Sequence, residues 1–352
     1  MKQLQRKGRI WNWSQFHKWK DREETKLEQF PIIGKETTVF GIGSCFAENV
    51  VTHLRIRGVE ANFFPGGTRF YDSKSIEQTL LHLFEKPTYS DDDFYQVDDG
   101  VFGNPFRLPD KRYESLDALR ADDRSINDQA RKLFTEADVI IVTIGGTELW
   151  RHPKTKKAYS TIPFPDVFNQ QMPDIAEPHN LTFQENYNAI ENIAKITKSN
   201  NPKAKLIFTV SPNRMTFTVS KKDIVQANCQ GKSVLRAAVG EYCDRQTTHV
   251  QYFHSYELLE YCEQPKVVYD RHMRHVSTFG VQVVMNEFFH YFGKTSIRDE
   301  AEYEKIRSIF KDKVDAAQIP EYVAAIKLAQ EKDRVRKRFK NLRRLIRPRL
   351  FS

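Results

Sequence analysis

Four short stretches of this chain carry side chains able to do chemistry together. The first is Gly43-Ser44-Cys45-Phe46, where a glycine and a small polar residue follow an apolar run. At a strand-to-helix turn, this spacing puts the Ser44 hydroxyl at a helix N-terminus. There, backbone N–H groups without intrahelical partners can stabilise an anion. The same position is also where a plain N-cap serine sits. The second stretch is Gly145-Gly146-Thr147-Glu148, in which two glycines let a ligand approach the backbone and Thr147 and Glu148 add a donor and a carboxylate. A plain turn capped by Thr147 is the simpler alternative. The third is Ser211-Pro212-Asn213, and the fourth Asp270-Arg271-His272-Met273-Arg274-His275. An Asp and a His a few residues apart can form the base half of a triad. The imidazole takes a serine proton and the carboxylate fixes its tautomer. Cys45 is a second possible nucleophile for a Cys–His pair. Two histidines and an aspartate could also bind metal or form an ordinary surface loop.

Competing motifs fail on particular residues. Gly41-Ile42-Gly43 begins a dinucleotide fingerprint, with Glu60 near the distance of a ribose-binding acid, but Phe46 stands where the last glycine belongs. A G-x-S-x-G elbow is absent at Ser44. Gly231-Lys232-Ser233 lacks the earlier glycine of a phosphate loop, because that position is Gln226.

The elements that must position these stretches alternate along the chain. Thr38–Gly43, Val59–Phe64, Asp138–Ile144, Lys205–Val210 and Val250–Phe253 read as strands, the third and fourth nearly all apolar and so buried on both faces. Helical spacing runs over Phe46–Arg57, Ser73–Phe84, Leu116–Phe134, Phe183–Ser199, Lys232–Arg245 and Thr278–Phe292. Residues 86–113 read as irregular and 151–182 as a long Pro-containing insertion. The alternation predicts an α/β fold with a mostly parallel sheet covered on both faces, and chemistry at the carboxyl ends of its strands. The expected organisation is an N-terminal arm (1–35), a catalytic domain (36–295), a helical extension (296–330) and a basic amphipathic tail (331–352).

Composition limits the partners. The chain has 352 residues, 39% of them hydrophobic, and a formal net charge of +9. Residues 331–352 hold ten Lys/Arg against Glu331 and Asp333, or +8, leaving about +1 for the rest. The near-neutral body gives no reason to expect nucleic-acid binding. In the tail, Val335, Phe339, Leu342 and Ile346 share one helical face. A basic helix with an apolar stripe suits an anionic membrane surface or a partner, or it docks on the body. The four cysteines contain no CxxC, which excludes a disulfide scaffold and argues against a Cys-rich zinc site. The charged N-terminus has no signal-peptide stretch, and no apolar run reaches the ~18 residues of a membrane span. The expected location is cytoplasmic, with the tail at the inner membrane face.

Taken together, these blocks resemble the GSCFA family, a branch of the SGNH/GDSL-like hydrolases. The string Gly43-Ser44-Cys45-Phe46-Ala47 stands intact. Further blocks follow in order: Gly67 with Arg69-Phe70-Tyr71, Asn104-Pro105-Phe106-Arg107, Gly145 to Trp150, Thr209 to Pro212, Ala227-Asn228 with Lys232 to Arg236, Tyr256-Glu257, and Arg274 to Ser277. The resemblance covers roughly residues 36–293. It implies a flavodoxin-like three-layer α/β/α sandwich in which Ser44 attacks an acyl carbonyl. The oxyanion would be held by the Ser44 and Gly67 N–H groups and a third donor. SGNH enzymes usually supply Asn there, whereas this chain has Thr147 beside Glu148. His275 is the implied base, with Asp270 as its orienting acid, although the family spacing D-x-x-H puts His272 at the acid position. The implied activity is O-acyl ester hydrolysis or O-acyl transfer on a carbohydrate or glycolipid, as in surface polysaccharide biosynthesis. No cofactor is implied, apart from an acyl donor such as acetyl-CoA for a transferase. A catalytically silent glycan- or anion-binding module is the alternative.

Overall fold

The computed structural model describes residues 30–85, 89–98, 100–108, 111–160, 176–245, 249–262 and 265–311. The basic tail and most of the N-terminal arm lie outside them. In chain order the elements are β1 (Thr38–Gly43), α1 (Cys45–Ile56), β2 (Glu60–Phe63), α2 (Ser73–Phe84), β3 (Tyr95–Asp98), β4 (Val101–Gly103), α3 (Leu116–Glu136) and β5 (Val139–Ile144). They continue with β6 (Glu148–Arg151), β7 (Glu177–Asn180), α4 (Phe183–Asn200), β8 (Lys205–Val210), α5 (Ile224–Asp244), β9 (Val250–Phe253), α6 (Ser255–Glu260), α7 (Pro265–Val268), α8 (Thr278–Phe292) and α9 (Glu300–Lys311).

The five predicted strands form one sheet in the order β2-β1-β5-β8-β9. Every pairing is parallel, with Val39 opposite Ala61 and Val139, Val139 opposite Lys205, and Leu206 opposite Val250. Alternation along the strands splits the core into two layers. Phe40, Ile42, Ile140, Val142, Leu206 and Phe208 pack against α2, α3, α4 and α5. Val39, Ile141 and Ile207 face the other way, onto α1 and α8. Each fully buried Leu, Ile or Phe contributes ~1.5–3 kcal/mol, so both helical layers are needed to cover the sheet. Gly41 lets α1 come close, because a Cβ there would sit 2.8 Å from Val51 Cγ2.

The strand order locates the site. From β1 the chain goes through α1 to β2 on one side. It then returns past β1 to β5 on the other. The order therefore reverses beside β1, and the crevice at such a switch point lies at the carboxyl ends of β1 and β5. Ser44 follows β1 and Gly145 follows β5.

Some expectations change in detail. Residues 86–113 are not wholly irregular, since β3 and β4 pair as an antiparallel hairpin. Part of the 151–182 insertion is likewise ordered, because β7 pairs antiparallel with β6. The fifth helix begins at Ile224 rather than Lys232. Asp223 starts it by accepting from Val225 N and Gln226 N at 2.9 and 3.0 Å. Among the described residues, no helix is long and apolar enough to cross a membrane.

Candidate functional site

The first wall is the β1–α1 turn. Gly43 has φ +131, and a Cβ there would run into the Thr143 carbonyl, so only glycine fits. This twist brings Ser44 onto β5. Its N–H donates to Thr143 O and Oγ1 (3.1 and 3.0 Å), and its Oγ shares a hydrogen bond with Thr143 Oγ1 at 3.0 Å. The same Oγ caps α1 by accepting from Phe46 N at 3.3 Å. Ser44 is only 2% exposed, yet it lines the cavity described below. Cys45 is the first residue of α1, so its N–H has no carbonyl within the helix to bond. Burial raises the Cys45 thiol pKa, against the opposing effects of Arg69 and Asn213.

The second wall joins β2's exit to β5's. Tyr71 O accepts from both Gly145 N and Gly146 N at 2.8 Å. Gly145 is closely packed here, since a Cβ would lie 3.3 Å from Tyr71 O and 3.6 Å from Ser44 Cβ. Asp72 caps α2, accepting from Ser75 N at 2.7 Å and Ser75 Oγ at 2.9 Å. Its burial pushes the carboxyl up to about 6, against those hydrogen bonds. Glu148 accepts from Thr218 Oγ1 at 2.6 Å and Val219 N at 2.8 Å, which ties β6 to the 211–223 loop.

The third wall comes from the chain after β8 and from the hairpin before α8. Asn213 connects them to the first wall. Its Nδ2 donates to Cys45 Sγ at 3.3 Å, and its Oδ1 accepts from Val276 N at 2.9 Å. In the hairpin, Asp270 N donates to His275 O at 2.7 Å. Asp270 Oδ1 accepts from His272 N (3.1 Å) and Arg274 N (2.9 Å). Burial pulls the Asp270 pKa up, but the backbone N–H donors of Arg274, His275 and His272 outweigh it, leaving the carboxyl below its ordinary value. Its carboxylate therefore organises the turn backbone. His275 is exposed at the rim, and its Nε2 accepts from Arg274 Nη1.

Beneath the walls lies Lys232, which is 1% exposed. Its Nζ donates to Gly145 O at 2.6 Å and Ser211 O at 2.5 Å, joining the ends of β5 and β8. Burial pulls its pKa down to about 7, against the raising effect of Glu260 and Cys45. A neutral amine has two N–H donors, matching these two carbonyls. Lys232 was not among the candidate residues of the sequence reading. A signal existed, because it shares an apolar stripe with Leu235, Val239 and Tyr242 on α5, an odd place for a lysine. Tyr71 and Arg274 stand in the family-matching strings without a role assigned from sequence, and nothing in the sequence singles out Thr143.

The walls enclose a cavity of about 310 Å³. Its lining brings together Ser44, Cys45, Gly145 and Gly146 with Glu148. From the late chain it adds Ser211, Asn213 and His275. Gly67, Arg69, Thr147, Asp270 and His272 do not line it. Gly67 is exposed and faces Leu108, and Arg69 pairs with Glu48 at 2.6 Å. Thr147 is buried against α5, where a Cβ on Gly231 would meet its hydroxyl at 3.0 Å. His272 is exposed, its Nε2 accepting from Arg271 Nε at 2.9 Å. Among the described residues, no group of three His, Cys, Asp or Glu side chains is placed to hold a metal ion.

The sheet order and the switch-point cavity define an α/β sandwich with a parallel central sheet. The profile of the GSCFA family matches residues 38–288, and the chain belongs to that family. No curated protein matches the chain. Among solved structures, a family two carbohydrate esterase from Clostridium thermocellum, in complex with cellohexaose, is similar at 10% identity and a TM-score of 0.34. That alignment covers 73% of this chain and 63% of the esterase chain.

Proposed function

We propose that this chain is a serine-dependent O-acyl ester hydrolase or O-acyltransferase of SGNH type, acting on a carbohydrate or glycoconjugate. One observation carries the reading: Ser44 and His275, from opposite ends of the family match, line the same cavity at the switch point. In this reading His275 takes the Ser44 proton as Oγ attacks the acyl carbonyl. The Ser44 hydroxyl leaves Thr143 Oγ1 to do so. Since Thr143 occupies the Ser44 N–H, the oxyanion falls to other donors. The Cys45 N–H at the start of α1 and the Asn213 amide are the two at hand. One such donor is typically worth roughly 3 kcal/mol. Asp270 holds the turn that carries His275, and its charge favours the imidazolium. The tetrahedral intermediate then collapses: the bond from the acyl carbon to the leaving oxygen (or the donor's sulfur) breaks, and His275 gives its proton to the departing alcohol or thiol. Water or a sugar hydroxyl, deprotonated by His275, takes the acyl group from Ser44. An acetyl-CoA-like donor enters only for transfer. Cytoplasmic work at an anionic membrane surface, through residues 331–352, belongs to the same proposal.

A second reading has its own support. The Ser44 hydroxyl and N–H are both engaged by Thr143, as expected of a structural cap in a silent module that only holds a glycan. Fluorophosphonate labelling with mass-spectrometric site mapping separates the two. The enzyme reading expects adduct on Ser44 and its loss in Ser44→Ala and His275→Ala. Absence of any Ser44 adduct, together with p-nitrophenyl acetate turnover unchanged by Ser44→Ala, would leave the binding module.

A further inference from the structure

We propose that the cavity selects an anionic ligand, a sugar unit bearing a carboxylate or phosphate, and that Arg274 is the residue that reads the charge. The inference rests on the cavity being the ligand site proposed above, but not on Ser44 being a nucleophile.

Two arginines line the cavity, and they differ in one respect. Arg214 is compensated, with Nη2 3.2 Å from Glu260 Oε2 and its guanidinium stacked 4.4 Å over the Tyr269 ring. Arg274 has only neutral acceptors: Nη1 donates to His275 Nε2 and Nη2 to Thr216 Oγ1. Its Nε is buried and has no hydrogen-bond partner. Among the described residues, no carboxylate lies within ion-pair distance of it. The two carboxylates that line the cavity are already engaged, Asp72 by Ser75 and Glu148 by Thr218 and Val219.

A guanidinium with a buried, unbonded N–H is costly unless something accepts from it. Its planar fork fits the two oxygens of a carboxylate or phosphate. Around it, Tyr71, Trp150 and Phe217 offer rings that suit the apolar face of a sugar. A cavity of this size is at the small end of ligand sites, which run roughly 300–1,000 Å³, so the recognised unit is short.

The position of Arg274 also links recognition to the base. Because arginine can only donate, its Nη1 occupies the lone pair of His275 Nε2. A ligand anion that draws the fork away removes that bond from the nitrogen. In the esterase reading, anionic substrates therefore release the base and neutral ones do not.

The test is isothermal titration calorimetry of the full chain at low salt with trigalacturonate, glucose 6-phosphate and neutral cellotriose. At least one anion should bind about tenfold or more tighter than cellotriose. In Arg274→Gln that preference should vanish while cellotriose affinity stays the same. Preference for trigalacturonate identifies a carboxylate ligand, and preference for glucose 6-phosphate a phosphate. Should Arg274→Gln fail to fold, Arg274→Lys serves, keeping the charge and losing the fork, with an expected partial loss of preference. Equal affinity for charged and neutral sugars, no binding of either anion, or an unchanged preference in the variants would overturn the proposal. The titration reads charge preference and the fluorophosphonate labelling reads the nucleophile, so loss of the enzyme reading and loss of this one are separable.

Discussion

The Lys232 Nζ lies 2.6 Å from the Gly145 carbonyl oxygen, a bond that crosses from the interior of α5 to the end of β5. With the bond to Ser211 O, it gives two buried carbonyls their partner. Lys232→Met keeps the stem volume and strands both acceptors, at a cost of ~1–3 kcal/mol each. Proton linkage adds a pH signature. The folded pKa is about 7, below the ordinary lysine value of 10.5, so the unfolded chain binds the extra proton between those limits. Stability from this group therefore rises with pH from about 7 to about 10.5, and at lower pH the full cost of burying the charge applies. Urea unfolding across that range should show the rise in the parent and not in Lys232→Met. Parallel slopes would disprove it.

Thr143 Oγ1 touches both Ser44 N and Ser44 Oγ. Thr143→Val preserves shape and removes the hydroxyl, leaving the Ser44 N–H its bond to Thr143 O. The expected loss is roughly 1–2 kcal/mol in denaturant midpoint analysis. Fluorophosphonate labelling should also change in rate, because the competing partner of the nucleophile is gone. An unaltered rate with lowered stability would confine Thr143 to a structural part.

Cys45 is half-buried and Cys229 exposed. With its thiol pKa raised by burial, Cys45 should stay largely a thiol at pH 8 and alkylate slowly with iodoacetamide. Its rate should climb as pH passes the ordinary thiol value of 9.0. Asn213→Ala removes the Nδ2 donor that holds the thiol pKa down, and should slow alkylation further at a given pH. Peptide mapping over time, with Cys229 as the fast reference, gives both numbers. Cys45 reacting first at pH 7 would refute the assignment.

Asp72 is buried with its carboxyl pushed up to about 6, above the usual 3.8. The folded state therefore binds the extra proton between pH 3.8 and about 6, and stability from this group falls as pH rises through that window. Asn caps helices as well as Asp. Asp72→Asn should match or exceed the parent's stability at pH 7, and the advantage should shrink toward pH 4. Thermal melts at the two pH values decide it.

The sheet was legible because its strands are short β-branched runs ended by Gly or Ser-Pro, and a buried parallel strand has few other sequences. Ser44 and His275 were legible as pieces. Their meeting in one cavity follows from the strand order, which local pattern does not encode. Gly67 and Thr147 show what is lost without that order. The Pro65-Gly66-Gly67 turn, with φ of 73 and 70 at its glycines, carries Gly67 toward Leu108. Pairing of β6 with β7, continued by Leu181 N donating to Thr147 O at 2.9 Å, sets Thr147 against α5. Neither hairpin partner nor glycine conformation is visible in a six-residue string. Lys232 was hidden for a different reason: a buried lysine contradicts the polarity pattern used to read helices.

The bonds that assemble the cavity join distant parts of the chain, Ser44 to Thr143 across 99 positions and Cys45 to Asn213 across 168. During synthesis the pocket lacks its third wall until the hairpin at Val276 has emerged, and an N-terminal fragment ending near β8 would leave exposed the β8 edge that β9 covers. Closing loops of this length is slow, and the exposed strands are prone to association meanwhile. Two co-expressed halves cut between β7 and β8 would therefore recover ligand binding only if they find each other before either aggregates.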